Sequence, residues 1–153
     1  MITIPRRQSG ATLVEMAIIA PVFILVLVSI IELSMMFFAT LTMQYAVREG
    51  ARFAVTGRAN ETGTGNQKRF ETVIAKIQSN SMGLYDKVNP AISVNGKGYA
   101  TGTYSNAMLG GAGDMVVLQF DCSWAVTTPL LSALFTDGQY RFSVATTMRN
   151  EYF

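Results

Sequence analysis

Three carboxylates in the second half of this 153-residue chain are candidates for catalysis: Asp114, Asp121 and Asp137. Carboxylates serve as general acids or bases. Their settings argue against those roles. Asp114 and Asp137 each adjoin a glycine in turn-like sequence, and Asp121 alternates out of step with the apolar Phe120 and Cys122, so all three read as turn or surface residues. Cys122, in QFDCSWAV, stands between Phe120 and Trp124 and reads as a small buried strand residue, with an intermolecular disulfide as the alternative in an oxidising compartment. There is no histidine, which removes the commonest general base and metal ligand, and a single cysteine allows neither an intrachain disulfide nor a cysteine-based metal site. The expectation is a protein with no catalytic residue, no metal and no cofactor.

A different kind of chemistry lies at the other end, in MITIPRRQSGATLVEMAIIAPVFILVLVSII. Glu15 sits just inside an apolar run, where a carboxylate reaching the bilayer centre costs on the order of 2.5 to 3.5 kcal/mol. A secretory signal peptide places its polar cut site after the apolar run; here the polar-to-apolar junction, with Gly10 at its edge, comes before it. Cutting after Gly10 makes Ala11 the new N-terminus and Glu15 the fifth residue of the mature chain. Joined to Arg6 and Arg7, the apolar run and Pro21, this resembles class III signal peptides, the leaders of type IV prepilins, which a membrane aspartyl peptidase trims on the cytoplasmic side. In a filament of such subunits the new α-amino group of one chain is a buried positive charge, and Glu15 of a neighbour is a partner for it. The competing account is an ordinary signal anchor with Glu15 at headgroup level.

The elements that must position these residues follow from hydrophobic period. Apolar character runs from Ala11 to Leu33, interrupted only by Glu15 and Glu32, long enough to cross a hydrocarbon core of about 20 residues. Arg6 and Arg7, with no acid before Gly10, keep the N-terminus cytoplasmic and send the remainder across. Helical composition continues, so one helix over residues 12–55 is expected, about 65 Å long at 1.5 Å per residue. Gly57 is the expected C-cap, followed by a polar loop. Phe70, Val73, Ile74 and Ile77 then fall on one face of a short amphipathic helix, and the period changes to that of strands, with Asn95-Gly96 as a hairpin turn. DMVVLQFDCSWAV and QYRFSVATTMRNE read as two strands joined through a helical turn in TTPLLSALFTDG. The fold class is therefore α+β: a long N-terminal helix continuing into a small domain with a short helix and a three- or four-stranded antiparallel sheet on the helix's polar half. The organisation is a leader of residues 1–10, a helix over residues 11–56 with a transmembrane part at 11–33, and an extracytoplasmic domain over residues 57–153.

Three further features have two readings each. Ala46, Gly50 and Ala54 form a stripe of small side chains, packed by the protein's own sheet or by a neighbouring helix. Arg48 and Arg52, with Glu49 beside them, either clamp the domain onto the helix or meet an acid of another subunit. Glu32 lies about 25 Å along the helix from Glu15 and is expected near the outer interface as a solvated carboxylate. Of 12 basic and 10 acidic residues, Arg6 and Arg7 precede Gly10, so residues 11–153 are balanced and no nucleic-acid face is expected.

The stretch from SGATLVEMAIIAP through QYAVREGARFAVTGR resembles the N-terminal module of the TadE-like family, minor pilins or pseudopilins of the tight-adherence (Tad, or Flp) pilus machinery. The likeness rests on Gly10, Val14-Glu15, Ala17, Pro21, Glu32 and the block from Ala46 to Arg52, and covers the first third of the chain; the closing ATTMRNEYF is also similar to how such proteins end. The resemblance implies processing by a prepilin peptidase, a single-pass place in a bacterial inner membrane or in the pilus, and a role in pilus assembly for adherence or secretion beside a major pilin and other minor pilins. The alternative is a binding module, at a pilus tip or anchored in the membrane, that presents its C-terminal domain and the loop GKGYATGTYSNAMLGGAG outside the cell.

Overall fold

The computed structural model describes residues 9–56, 66–99 and 108–152. The long helix α1 spans Ser9–Val55, 47 residues and about 70 Å, with Pro21 inside it. Helix α2, Asn66–Asn80, follows, then the single turn α3, Tyr85–Val88. Four strands come next in chain order: β1 Ala91–Val94, β2 Lys97–Tyr99, β3 Met115–Ala125 and β4 Gln139–Arg149. A one-turn helix α4, Pro129–Ser132, lies between β3 and β4. The sheet is wholly antiparallel in the order β2-β1-β3-β4. This is the expected α+β architecture, with the four-stranded form of the sheet.

The turns are where the sequence put them. Asn95 and Gly96 both have positive φ, 52° and 77°, the geometry of the type I′ turn that suits a two-residue hairpin. Asp137 and Gly138 also have positive φ, 57° and 64°, and lead directly into β4. Gly57 and the loop after it lie outside the described residues, as do residues 1–8 of the expected leader, Arg6 and Arg7 among them.

Only one half of α1 has an inside. From Met36 onward its buried residues are Met36, Ala39, Thr42, Met43, Ala46, Val47, Gly50, Ala51 and Ala54, which recur every three or four positions along one stripe. Against that stripe pack α2, through Phe70, Val73 and Ile77, and the sheet, through Val116, Leu118, Phe120, Cys122, Val144 and Met148. The alternation along β3 places Asp121 outside and Cys122 inside, as the sequence implies. Burial pushes the Cys122 thiol up to about 12, with the Asp121 carboxylate adding to the effect.

The small-residue stripe is buried within the chain, and at Gly50 the neighbour is α2 rather than the sheet. A Cβ at Gly50 would stand 2.3 Å from Ile77 Cγ1, so the helices approach as closely as they do because that side chain is absent.

Two polar anchors fix α1 to the C-terminal half. Near its C-terminus the buried Arg69 donates to Ala54 O from Nη2 at 2.6 Å and from Nε at 3.1 Å, to Gly110 O at 3.3 Å and to Asn150 Oδ1 at 2.9 Å. Asn150 in turn donates to Leu109 O and Gly111 O, both at 2.7 Å, and the Glu151 N–H donates to Val55 O at 3.1 Å. The last carbonyls of α1 are thus capped by a guanidinium and a strand-end amide, and the positive charge sits at the negative end of the helix dipole. The second anchor is Glu32, whose Oε1 accepts the Thr127 N–H and whose Oε2 accepts the Thr128 N–H at 2.9 Å.

Two expectations are corrected here. Glu32 is not a solvated carboxylate: it is only 8% exposed and binds the backbone at the start of α4. Residues 127–128 come from the far end of β3, which sequence spacing along α1 could not reveal. Arg48 and Arg52 do not clamp the domain; both are exposed, and neither forms an ion pair among the described residues. Residues 47, 50, 51 and 54 define the packed face, which turns 48 and 52 outward, and Arg69 of α2 supplies the clamp instead.

Candidate functional site

The residues that stand ready for a partner are those of the first half of α1. Leu13, Val14, Met16, Ile18, Ile19, Val22, Phe23 and Ile24 are each at least 58% exposed, and none of the most apolar 18-residue window is buried inside the chain. A helix apolar on every face is built for hydrocarbon or for other apolar helices, since so large an exposed patch is unfavourable in water. α1 is long and apolar enough to cross a membrane, and the chain is compatible with single-pass anchoring. Its hydroxyls fit that solvent: Ser29 Oγ donates to Leu25 O at 2.8 Å and Ser34 Oγ to Ile30 O at 2.7 Å, so these polar groups are satisfied within the helix.

Glu15 lies in this bare half, exposed, with no ion-pair partner among the described residues. Gly10 and Ala11 form the first turn of α1, and a Cβ on Gly10 would meet nothing within 4 Å. Fold and packing therefore make no demand for glycine at that position. The exposed apolar surface does not stop at the end of the span: Phe37, Phe38, Leu41 and Tyr45 remain 45% to 65% exposed on the side of α1 away from the domain.

The carboxylates of the second half do not assemble. Asp114 accepts the Gly111 N–H at 2.7 Å in the turn before β3, Asp121 accepts Gln119 Nε2 at 2.9 Å in mid-strand, and Asp137 pairs with Arg141 at 3.0 Å at the opposite end of the sheet. Each is satisfied locally, and no group of three or more metal-ligating side chains occurs among the described residues.

Sequence reasoning missed Arg69 and Asn150. The signal for Arg69 was present: it precedes Val73 by four residues and Ile77 by eight, so it shares their apolar stripe and must be buried with it. Asn150 likewise continues the inward alternation of Val144 and Met148.

No curated protein and no solved structure matches the chain. The family model that does match, that of TadE-like protein, covers residues 10–52, beginning at Gly10 and ending within the packed half of α1, so the N-terminal segment of this chain is similar to that family.

Proposed function

We propose that the chain is a minor pilin or pseudopilin that is cut between Gly10 and Ala11 by a prepilin peptidase, stays in or leaves the inner membrane through its apolar helix, and takes part in assembling a Tad-type pilus. The observation that carries this reading is the TadE-like match over residues 10–52, which begins at Gly10 and contains a fully exposed apolar half-helix with one unpartnered carboxylate, Glu15. Association with the Tad pilus is what the family suggests, and that family is one of pilus components rather than enzymes. Arg6 and Arg7 set the orientation, with residues 60–153 outside the cytoplasm. After cleavage the α-amino group of Ala11 is paired by Glu15 of an adjacent subunit, and the bare face through Phe37, Phe38, Leu41 and Tyr45 lies against neighbouring helices.

The test is Glu15→Val in the native host. Insertion and cleavage continue, because a neutral side chain enters the membrane more easily. Pilus output and co-purification with other pilus subunits fall by orders of magnitude, since removing one partner of a buried pair costs about 3 to 5 kcal/mol. N-terminal sequencing confirms the cut at Ala11 first, and a bulky residue at Gly10 blocks it without disturbing the fold. Normal assembly by a cleaved Glu15→Val protein would remove the charge-pairing step.

A further inference from the structure

The β3–β4 connection, residues 126–138, forms the tip of the domain that Glu32 of α1 holds. β4 has 11 residues, about 36 Å of strand, and α1 from Glu32 to Val55 measures about 35 Å. The two run side by side in the same direction. At one end Glu151 and Asn150 meet the C-terminus of α1; at the other, Glu32 holds Thr127 and Thr128. Glu32 also marks the level at which the apolar run of α1 ends. The turn that follows is therefore tied to the edge of the spanning segment.

Its composition suits that position. Residues 122–136 contain no Asp, Glu, Lys or Arg. Leu131 turns inward and packs with Met36 and Val126, while Leu130 and Leu134, one helical turn apart, are 53% and 77% exposed. Trp124, Phe135 and Tyr140 pack around that small cluster, with Phe135 and Tyr140 edge to face at 6.0 Å. Aromatic rings with polar edges beside exposed leucines are the composition of a protein surface at headgroup depth. The one charged residue of the connection, Asp137 at its β4 end, is paired with Arg141 at 3.0 Å.

We infer that this tip is a second membrane contact: Leu130 and Leu134 enter the interfacial zone of the bilayer in which α1 is embedded, and Glu32 holds them at that depth. The domain is then fixed in height and tilt by two points rather than swinging on one helix. The occupant is lipid because the patch is continuous with the apolar span and carries no charge to recognise a polar partner. The inference rests on the reading of α1 as a membrane span.

The experiment places an environment-sensitive fluorophore on single cysteines, in a Cys122→Ala background, at Leu134, at Val22 within the span and at Met115 at the far end of the sheet. The full chain is reconstituted in phosphatidylcholine–phosphatidylglycerol vesicles containing a brominated lipid, with iodide as the aqueous quencher. The expected result is lipid quenching at positions 134 and 22 several-fold stronger than at 115, and iodide quenching in the reverse order. Quenching at 22 with 134 behaving like 115 places the tip in water and overturns the inference while leaving the span intact. A position 134 shielded from iodide but untouched by the brominated lipid is covered by protein, and also overturns it. If 22 escapes lipid quenching as well, the span itself fails and the inference falls with it.

Discussion

Gly10 and Gly50 occupy the same helix and meet opposite surroundings. A Cβ added to the first touches nothing within 4 Å; added to the second, it lands 2.3 Å from Ile77 Cγ1 and 2.9 Å from Cδ1. The contrast extends to the two halves of α1. Up to Ile31 the helix is apolar on all sides and exposed, whereas beyond it a stripe of methionine, alanine, valine and glycine is buried and the other faces are not. Apolar composition alone therefore does not make a core. What makes one in the second half is small size at regular spacing, which lets α2 approach, together with a polar anchor at each end.

The largest effect in breaking this contrast is expected at Arg69. Arg69→Ala strands Ala54 O, Gly110 O and the Asn150 amide in a buried site, a loss of about 3 to 5 kcal/mol. Chemical denaturation of the detergent-solubilised chain, followed by Trp124 fluorescence, measures it. A matched Val22→Ala change in the bare half shifts the same curve by less than about 0.5 kcal/mol.

Glu32→Gln comes next, at about 1 to 3 kcal/mol, because an amide NH2 then faces a backbone N–H that the carboxylate accepted. Thermal unfolding reports the loss, and Glu32→Asp, too short to reach both amides, falls between the two.

Gly50→Ala is expected to cost about 1 to 2 kcal/mol despite the better helix propensity of alanine, since Ile77 must move. Combining it with Ile77→Ala should give a loss smaller than the sum of the two single changes, the sign of a shared contact. Equal additivity would show that the helices are not held at this point.

The smallest effect concerns Cys122 and sharpens how dry the packed half is. With the folded thiol raised to about 12, the unfolded chain ionises first as pH rises, so stability is full below the ordinary thiol value and declines toward pH 12. Cys122→Ala removes that part of the alkaline loss. Maleimide labelling at pH 7 is correspondingly slow until denaturant is added.

The elements with a sustained pattern were legible: α1 by its unbroken apolar and helix-forming composition, α2 by recurrence every three or four residues, and β3 by strict alternation through Val116, Leu118, Phe120 and Cys122. The hairpin turn was legible from Asn95-Gly96, because few other residues accept two successive positive φ values. The anchors were not, for a common reason. Glu32 meets residues 95 and 96 positions away, and Arg69 meets Asn150 at a separation of 81, so no local window contains both partners. A charged residue read alone looks solvated; its burial is decided by a segment arriving from far along the chain. The same holds for Arg48 and Arg52, where local charge spacing suggested a clamp but helix phase turned both outward. The proposed assembly residues Gly10, Ala11 and Glu15 rest, by contrast, on a pattern contained in one short window.

Those long separations have a kinetic side. The stripe on α1 from Met36 to Ala54 is made early, but β4 and the Asn150 anchor that cover it are made late. Closing such distant contacts carries a large loop-entropy cost before any packing offsets it, which slows folding. On the proposed topology the N-terminus stays cytoplasmic and the rest of the chain crosses in order, so the stripe emerges still uncovered and the domain completes only after strand β4 has crossed. On that topology folding is coupled to the end of the crossing rather than to its beginning.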